Sequence, residues 1–232
     1  MSASLSVKPI LKTLKNGLRI LLIPQPQAAT ATALILVATG SKYENKATSG
    51  LSHFLEHMFF KGTTKRPSAK NICETLDEIG SISNAFTSQE YTGYYAKGSP
   101  QHVDKYLDVL SDIYLDSTFP EGEIAKEKGV IIEEINMYED MPQHKVGQAL
   151  VTLMYGDQPA GWPIIGTKEN VLAFSRKDFI DYHHLHYHAD NTIIVLAGAI
   201  DPQHAVAPHV GGYRTRARTS RRHLTQPLHS AP

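Results

Sequence analysis

The segment from Pro120 to Tyr138 predicts a long helix whose apolar stripe contains two carboxylates. Glu127 and Glu134 lie near the middle of that stripe on a helical wheel. Glu133 and Glu139 lie at or beyond its edges. The stripe is formed by Ile124, Val130, Ile131, Ile135, Met137 and Tyr138. Burying two carboxylates costs free energy unless they are paired, hydrogen-bonded or bound to a cation. The fold must therefore bring partners to them, or leave this helix so loosely packed that both glutamates reach solvent.

A second predicted helix, from Thr48 or Ser49 to about Phe60, contains an H-x-x-E-H pattern from His53 to His57. At about 100° per residue, the two histidines, Glu56 and Phe60 share one helix face. Neutral histidines one turn apart are a common zinc pair, and a carboxylate beside them can accept a proton from metal-bound water without being a ligand. The alternative is a helix whose polar face holds these side chains by chance.

A divalent metal on this face would supply the cation that the glutamate stripe requires. His53 and His57 offer two ligands, and we expect the third from Glu127 or Glu134. The periodicity does not distinguish the two glutamates. The two helices together predict a metal centre with Glu56 beside it.

A competing cluster contains four histidines near the end of a predicted helix: His183, His184, His186 and His188. These side chains could also chelate a metal. The cluster lacks a nearby carboxylate suited to act as a base, so we expect packing and surface roles for it.

Cys73 is the only cysteine in the sequence. An intramolecular disulfide and a zinc site built from several cysteines of one chain are therefore both excluded. We expect Cys73 in the core.

The remaining pattern predicts an α+β fold with a mixed or antiparallel sheet and helices packed mainly on one face. Strands are predicted at Ile10–Leu14, Leu18–Ile23, Ala31–Ala38 and Thr192–Ile200, with a strand pair within Ser81–Lys97. Further helices are predicted at Ser68–Ile79, Ser99–Ser117, Gln143–Tyr155 and Ser175–His184, and a loop at Trp162–Gly166.

Charge divides the chain unevenly, although Lys+Arg and Asp+Glu are equal at 23 each. The segment from Pro202 to Pro232 has five arginines and no acid, which leaves 18 basic against 23 acidic side chains in residues 1–201. We expect residues 1–206 to form the folded domain and 207–232 to be a basic, disordered tail. The overall charge balance does not indicate a nucleic-acid partner. No apolar run is long enough to span a membrane. We expect a cytoplasmic protein, with the mitochondrial matrix or periplasm as alternatives.

Several motifs together resemble the inverzincin metallopeptidases, the family of pitrilysin, insulysin and mitochondrial processing peptidase. The likeness covers about residues 10–205 and is most similar to the bacterial processing-peptidase-like branch. It includes Gly40-Ser41, Glu44, Gly50 to Met58, Phe60 to Thr63, Asn84 to Thr87, Glu127, Val130, Ile131, Glu133 to Ile135, Gly166-Thr167, Tyr187, Asn191 and Gly198. The 76 residues between His57 and Glu134 match the family's ligand spacing.

The resemblance implies a zinc metalloendopeptidase that acts on peptides or on unfolded, presequence-like segments. It implies that His53, His57 and Glu134 bind one zinc ion. It also implies catalytic roles for Glu56, as the base that activates metal-bound water, and for Glu127, which supports the site without binding the ion.

The resemblance implies further that a peptide substrate pairs with the edge strand containing Asn84, Ala85 and Phe86. Phe60 is expected to line a side-chain pocket for the peptide.

Members of this family enclose their substrate between such a domain and a second, similar domain, which contributes an arginine and a tyrosine. Nothing in this sequence corresponds to that second domain, and the pattern departs from the family near Ala207. We expect a truncation or a shifted reading frame, or else a short form that pairs with another subunit as a homo- or hetero-oligomer. A partner-dependent or non-catalytic subunit that binds zinc and substrate is therefore the alternative to an active peptidase.

Overall fold

The structure, a computed structural model, describes residues 8–203 and Tyr213. The described residues form a six-stranded mixed sheet and seven α-helices, which confirms the predicted α+β class. Apart from Tyr213, the predicted tail at 207–232 lies outside the described residues. Tyr213 is buried, and its ring packs 5.3 Å from that of Tyr114.

The sheet has the strand order β1-β2-β6-β3-β5-β4. Its strands are β1 (Ile10–Thr13), β2 (Arg19–Pro24), β3 (Ala31–Val37), β4 (Ile82–Thr87), β5 (Thr92–Gly98) and β6 (Thr192–Gly198). Only β2 and β6 run parallel, and the other neighbours are antiparallel. Strand β4 therefore forms one edge of the sheet, as the predicted substrate strand requires.

The helices are α1 (Leu51–Phe59), α2 (Ala69–Asp77), α3 (Val103–Asp116), α4 (Glu121–Asp140), α5 (Pro142–Tyr155), α6 (Lys168–Ala173) and α7 (Arg176–His186). Helix α6 was not predicted from the sequence. The predicted helix from Ser99 begins instead with a 3-10 turn at Pro100–His102 before α3.

The core lies on one face of the sheet. Along β3 and β6, fully buried side chains alternate with half-buried ones, the pattern of strands with one well-covered face. Helix α3 packs against β3 and β5, whereas α1 and α2 pack against β4. Helix α1 also contacts α4 and α7, so it lies between the sheet edge and the long helix.

The start of α1 differs from the prediction. Its N-cap is Gly50, not Thr48 or Ser49, and Gly50 has a left-handed φ of 96°. The capping carboxylate comes from Glu44, whose oxygens accept hydrogen bonds from the N–H groups of Gly50 (2.8 Å) and Ser52 (2.7 Å). Glu44 is buried, and burial raises its pKa to about 7. The Glu44 carboxylate thus accepts the hydrogen bonds of backbone N–H groups that the side chain of an N-cap residue usually accepts.

Cys73 is exposed, so the prediction that it belongs to the core was wrong. It lies on α2, whose buried residues are Ile72 and Leu76. The helix turns the side chain at 73 away from those two, toward solvent.

We expect Gly50→Ala to destabilise the protein by about 2 kcal/mol or more. A positive φ costs a residue with a Cβ roughly 1–2 kcal/mol, and the new Cβ would lie 2.6 Å from the carbonyl oxygen of Ile165. The matched control is Gly129→Ala in α4, where the added Cβ meets nothing within 4 Å and should stabilise by about 0.5–1 kcal/mol. Urea unfolding measures both variants, and equal effects would contradict the assignment of strain to Gly50.

Candidate metal centre

Helices α1 and α4 bring two imidazoles and one carboxylate together. The Nε2 atoms of His53 and His57 each lie 3.7 Å from Oε2 of Glu134. A tetrahedral zinc ion with bonds of about 2.0–2.1 Å to nitrogen and oxygen separates its ligand atoms by roughly 3.4 Å. The observed separations are close to that value, so these donors fit a small tetrahedral cation. Among the described residues, these three side chains form the group of histidines, cysteines and carboxylates whose ligand atoms lie close enough together to hold one metal ion.

His53 is held in the protonation state that a metal ligand needs. Its side chain is 13% exposed, and Nδ1 has no hydrogen-bond partner among the described residues. Burial, with a smaller contribution from the His57 ring, lowers the pKa of His53 to about 3. A neutral imidazole offers a nitrogen lone pair to a cation, whereas a protonated one repels it.

His57 is oriented by Glu127. Its Nδ1 donates a hydrogen bond to Oε1 of Glu127 at 2.9 Å, which leaves Nε2 facing Glu134. The other Glu127 oxygen, Oε2, lies 2.6 Å from Nζ of Lys61. Burial favours the neutral form of Glu127, but hydrogen bonds from His57 and Lys61 outweigh burial and lower its pKa. Glu127 is therefore an anionic partner of His57.

The structure separates the two glutamates that periodicity left equivalent. Glu134 faces both Nε2 atoms, and its other oxygen accepts a hydrogen bond from the Tyr138 hydroxyl at 3.0 Å. Glu127 is occupied by other donors on both oxygens. This arrangement leaves Glu134 as the carboxylate available to a cation.

The predicted apolar stripe of α4 was too wide. Val130 and Met137 are 51% and 46% exposed, whereas Ile124, Ile131 and Ile135 are buried. Val130 and Met137 lie toward the rim of the stripe, where the described elements leave them about half exposed. The narrower buried face still contains Glu127.

Glu56 lies on α1 between the two histidines, and its Oε2 accepts a hydrogen bond from the Thr87 hydroxyl. Burial raises the pKa of Glu56, and the Thr87 hydrogen bond partly opposes that rise. A raised pKa brings a carboxylate closer to the range in which it can both accept and release a proton near neutral pH.

The remaining predicted site residues lie on β4 and at the end of α1. Asn84 and Phe86 are exposed on β4, and Ala85 between them is half-buried. Phe60 is half-buried, with its ring 6.4 Å from that of Tyr94. Thr87 ends β4 and contacts Glu56, so the free edge of the sheet leads to the candidate metal centre.

The sequence prediction missed three residues with direct roles in this arrangement: Lys61, Thr87 and Tyr138. Two of them had a readable signal. Lys61 follows His57 by four residues and Tyr138 follows Glu134 by four, which is the helical spacing for neighbouring side chains. Thr87 contacts Glu56 only through the packing of β4 against α1, which no local spacing encodes.

The competing histidines are divided between core and surface. His183 is buried, with Nε2 2.8 Å from the carbonyl oxygen of Tyr114. His184 is exposed, and His188 pairs with Asp190. None of the four belongs to the group of potential metal ligands found in the described residues.

Comparison with known proteins now decides the family. Residues 19–168, well over half of the chain, match the family described as Insulinase (Peptidase family M16). The chain belongs to this family. The resemblance to the inverzincin metallopeptidases that the sequence shows is thereby confirmed, and the site described above lies within the matched residues.

Individual M16 relatives come from bacteria and mitochondria. The chain is 45% identical over 188 residues to the Bacillus subtilis (strain 168) zinc protease YmxG, covering 81% of this chain and 46% of YmxG. It is 38% identical to a probable mitochondrial-processing peptidase subunit beta of Arabidopsis thaliana, covering 84% of this chain and 36% of that protein. A Helicobacter pylori protease is similar in structure, with a TM-score of 0.82 and 27% identity, over 86% of this chain and 48% of that one.

The chain spans less than half the length of these M16 relatives. In the part that the structure describes, no helix is both long and apolar enough to cross a membrane.

We expect the free energy of unfolding of the metal-free wild-type protein to fall, relative to that of metal-free His53→Gln, as the pH is lowered from 6.5 toward 3. In that range unfolded His53 binds a proton that the folded protein excludes, at a cost of up to about 1.4 kcal/mol per pH unit. Urea unfolding at several pH values, with a chelator present, measures the difference. A difference that stays constant across this range would contradict a buried, neutral His53.

Proposed function

We propose that this chain is a zinc metalloendopeptidase, with His53, His57 and Glu134 as the zinc ligands. One observation carries the proposal: α1 and α4 bring these three donors together at separations suited to tetrahedral zinc. The zinc-protease name of YmxG supports the same metal and reaction class. We assign this role to the domain predicted at residues 1–206.

Peptide hydrolysis needs an activated water, a polarised carbonyl and a proton for the leaving amine. Zinc bound at this site supplies the Lewis acidity that lowers the pKa of water and polarises the scissile carbonyl. Glu56 accepts the proton from the attacking water and passes it to the leaving amine. Thr87 holds the Glu56 carboxylate, and Glu127 keeps His57 oriented.

The substrate class follows from the sheet edge. An extended peptide adds to β4 beside Asn84, Ala85 and Phe86 through main-chain hydrogen bonds, which are independent of side-chain identity. Phe60 contributes to an apolar contact near the end of α1. Recognition of this kind suits peptides and unfolded, presequence-like segments, because a folded substrate rarely presents a free strand.

We expect the purified chain to bind one zinc ion and Glu134→Gln to weaken that binding. Loss of a direct ligand should cost more than the roughly 10–100-fold that loss of an outer hydrogen-bond partner costs. The matched control is Glu133→Gln, which changes the exposed neighbouring carboxylate and should leave zinc affinity unchanged. Chelator competition measures both, and a chain that binds no zinc would refute the proposal.

A second candidate function is a subunit that binds zinc and substrate but needs another half for activity. The chain spans less than half of its relatives, and α5 has no buried residue. On one face of α5, Val146, Leu150 and Leu153 are 71%, 57% and 83% exposed. Exposed apolar stripes of this kind mark interaction surfaces, which supports a partner, either a second copy or a different chain.

A cleavage assay separates the two candidates. We expect a quenched peptide to be cut when this chain is co-expressed with the part of YmxG that it does not match, and Glu56→Gln to abolish that cleavage while zinc stays bound. Cleavage by the chain alone favours the first candidate, whereas cleavage only in the co-expressed sample favours the second. Activity that survives Glu56→Gln would contradict the assigned base.

A further inference from the structure

The two proposed ligand histidines are held in different ways. His53 has no partner at Nδ1 among the described residues, whereas Nδ1 of His57 is bonded to Glu127. Glu127 is itself fixed at both oxygens, because Oε1 lies 2.9 Å from His57 and Oε2 lies 2.6 Å from Nζ of Lys61. The orientation of His57 therefore depends on Glu127, and the position of Glu127 depends in turn on Lys61.

Lys61 lies in the turn directly after α1. Its N–H donates to the carbonyl oxygen of Met58 at 3.1 Å, so the turn continues the hydrogen bonding of the helix. His57 and Lys61 are four residues apart, the spacing at which neighbouring side chains on a helix meet. Both side chains consequently reach the same carboxylate on α4.

A cation at the metal centre would attract Glu127 as well as Glu134. The two glutamates are seven residues apart on one face of α4, which is two helical turns. The Glu127 side chain is only 6% exposed, so water does little to hold its second oxygen. Among the ion pairs of the described residues, Glu127 pairs with the ring of His57 and with the ammonium group of Lys61.

We propose that Lys61 is a positioning residue that keeps Glu127 on Nδ1 of His57 and out of the ligand set of the metal. This inference rests on the proposed zinc site. Lys61 thus determines that Glu134 alone of the two glutamates is available as a ligand.

Whether neutralising Lys61 weakens or tightens zinc binding distinguishes a positioning role from a purely electrostatic one. A lysine near a cation site opposes cation binding by Coulomb repulsion. If charge were its whole effect, neutralising Lys61 would tighten zinc binding. A positioning role predicts weaker binding instead, because loss of the partners that orient a ligand typically costs about 10–100-fold in metal affinity.

The experiment measures the dissociation constant of zinc for the full chain, by competition with a chromophoric chelator at fixed pH and ionic strength. We expect Lys61→Met to raise this constant about ten-fold and Lys61→Arg to restore most of the loss. The matched control is Lys65→Met, which removes a lysine from the exposed pair with Asp108 and should leave zinc affinity unchanged. Thermal melting of the metal-free variants checks folding, and Lys61→Gln replaces Lys61→Met if the latter does not fold.

A double-mutant cycle tests the route through Glu127. In a Glu127→Gln background, Lys61→Met should have no further effect on zinc affinity. Unchanged or tighter binding by Lys61→Met, or an equal loss in both backgrounds, overturns the inference and leaves the zinc site standing. A wild-type chain that binds no zinc overturns the zinc site itself and the inference with it.

Discussion

Carboxylates that are buried or half-buried beside α1 require partners, and much of the local architecture supplies them. Glu44 accepts the first N–H groups of α1, and Glu127 is held by His57 and Lys61. Glu134 has the Tyr138 hydroxyl on one oxygen and faces two imidazoles with the other. Each carboxylate would be costly to bury alone. The contacts of Glu127 with His57 and Lys61 join α4 to α1 and to the turn after it, and the candidate site lies where these two helices meet.

The position of His53 depends on the backbone more than that of His57 does. No side chain holds its Nδ1 atom among the described residues, so its ring is placed by packing and by where α1 begins. That beginning is set by Glu44 and by the close approach of Gly50 to Gly166. The geometry of the first turn of α1 therefore sets the position of His53 on one side of the candidate metal centre. Glu127 sets the orientation of His57 on the other side.

Local patterns predicted most of the fold and indicated the residues of the candidate site. The first two strands, the central strands and the long helices follow from apolar runs and periodicity. The H-x-x-E-H helix, together with the glutamate stripe, indicated a metal. The distinction between Glu127 and Glu134 depended on His57 and Lys61, which hold Glu127 from outside α4 and are therefore absent from a wheel of that helix. The exposure of Val130 could not be read from the wheel, because a wheel of one helix does not show which of its side chains other elements cover. Helix α6 has six residues, too few to show a period, and the cap at Gly50 depended on Glu44 from outside the helix.

Strand β4 has a hydrogen-bonding partner on one side only within the described sheet. Its outer row of N–H and C=O groups accepts any extended chain of suitable length, because main-chain pairing does not read side chains. Ile82 and Phe86 add exposed apolar surface to the same strand. The feature that suits this edge to an unfolded peptide therefore also makes it a template for partly unfolded copies of the protein itself. For this fold, the proposed substrate recognition and resistance to aggregation place opposing demands on one strand.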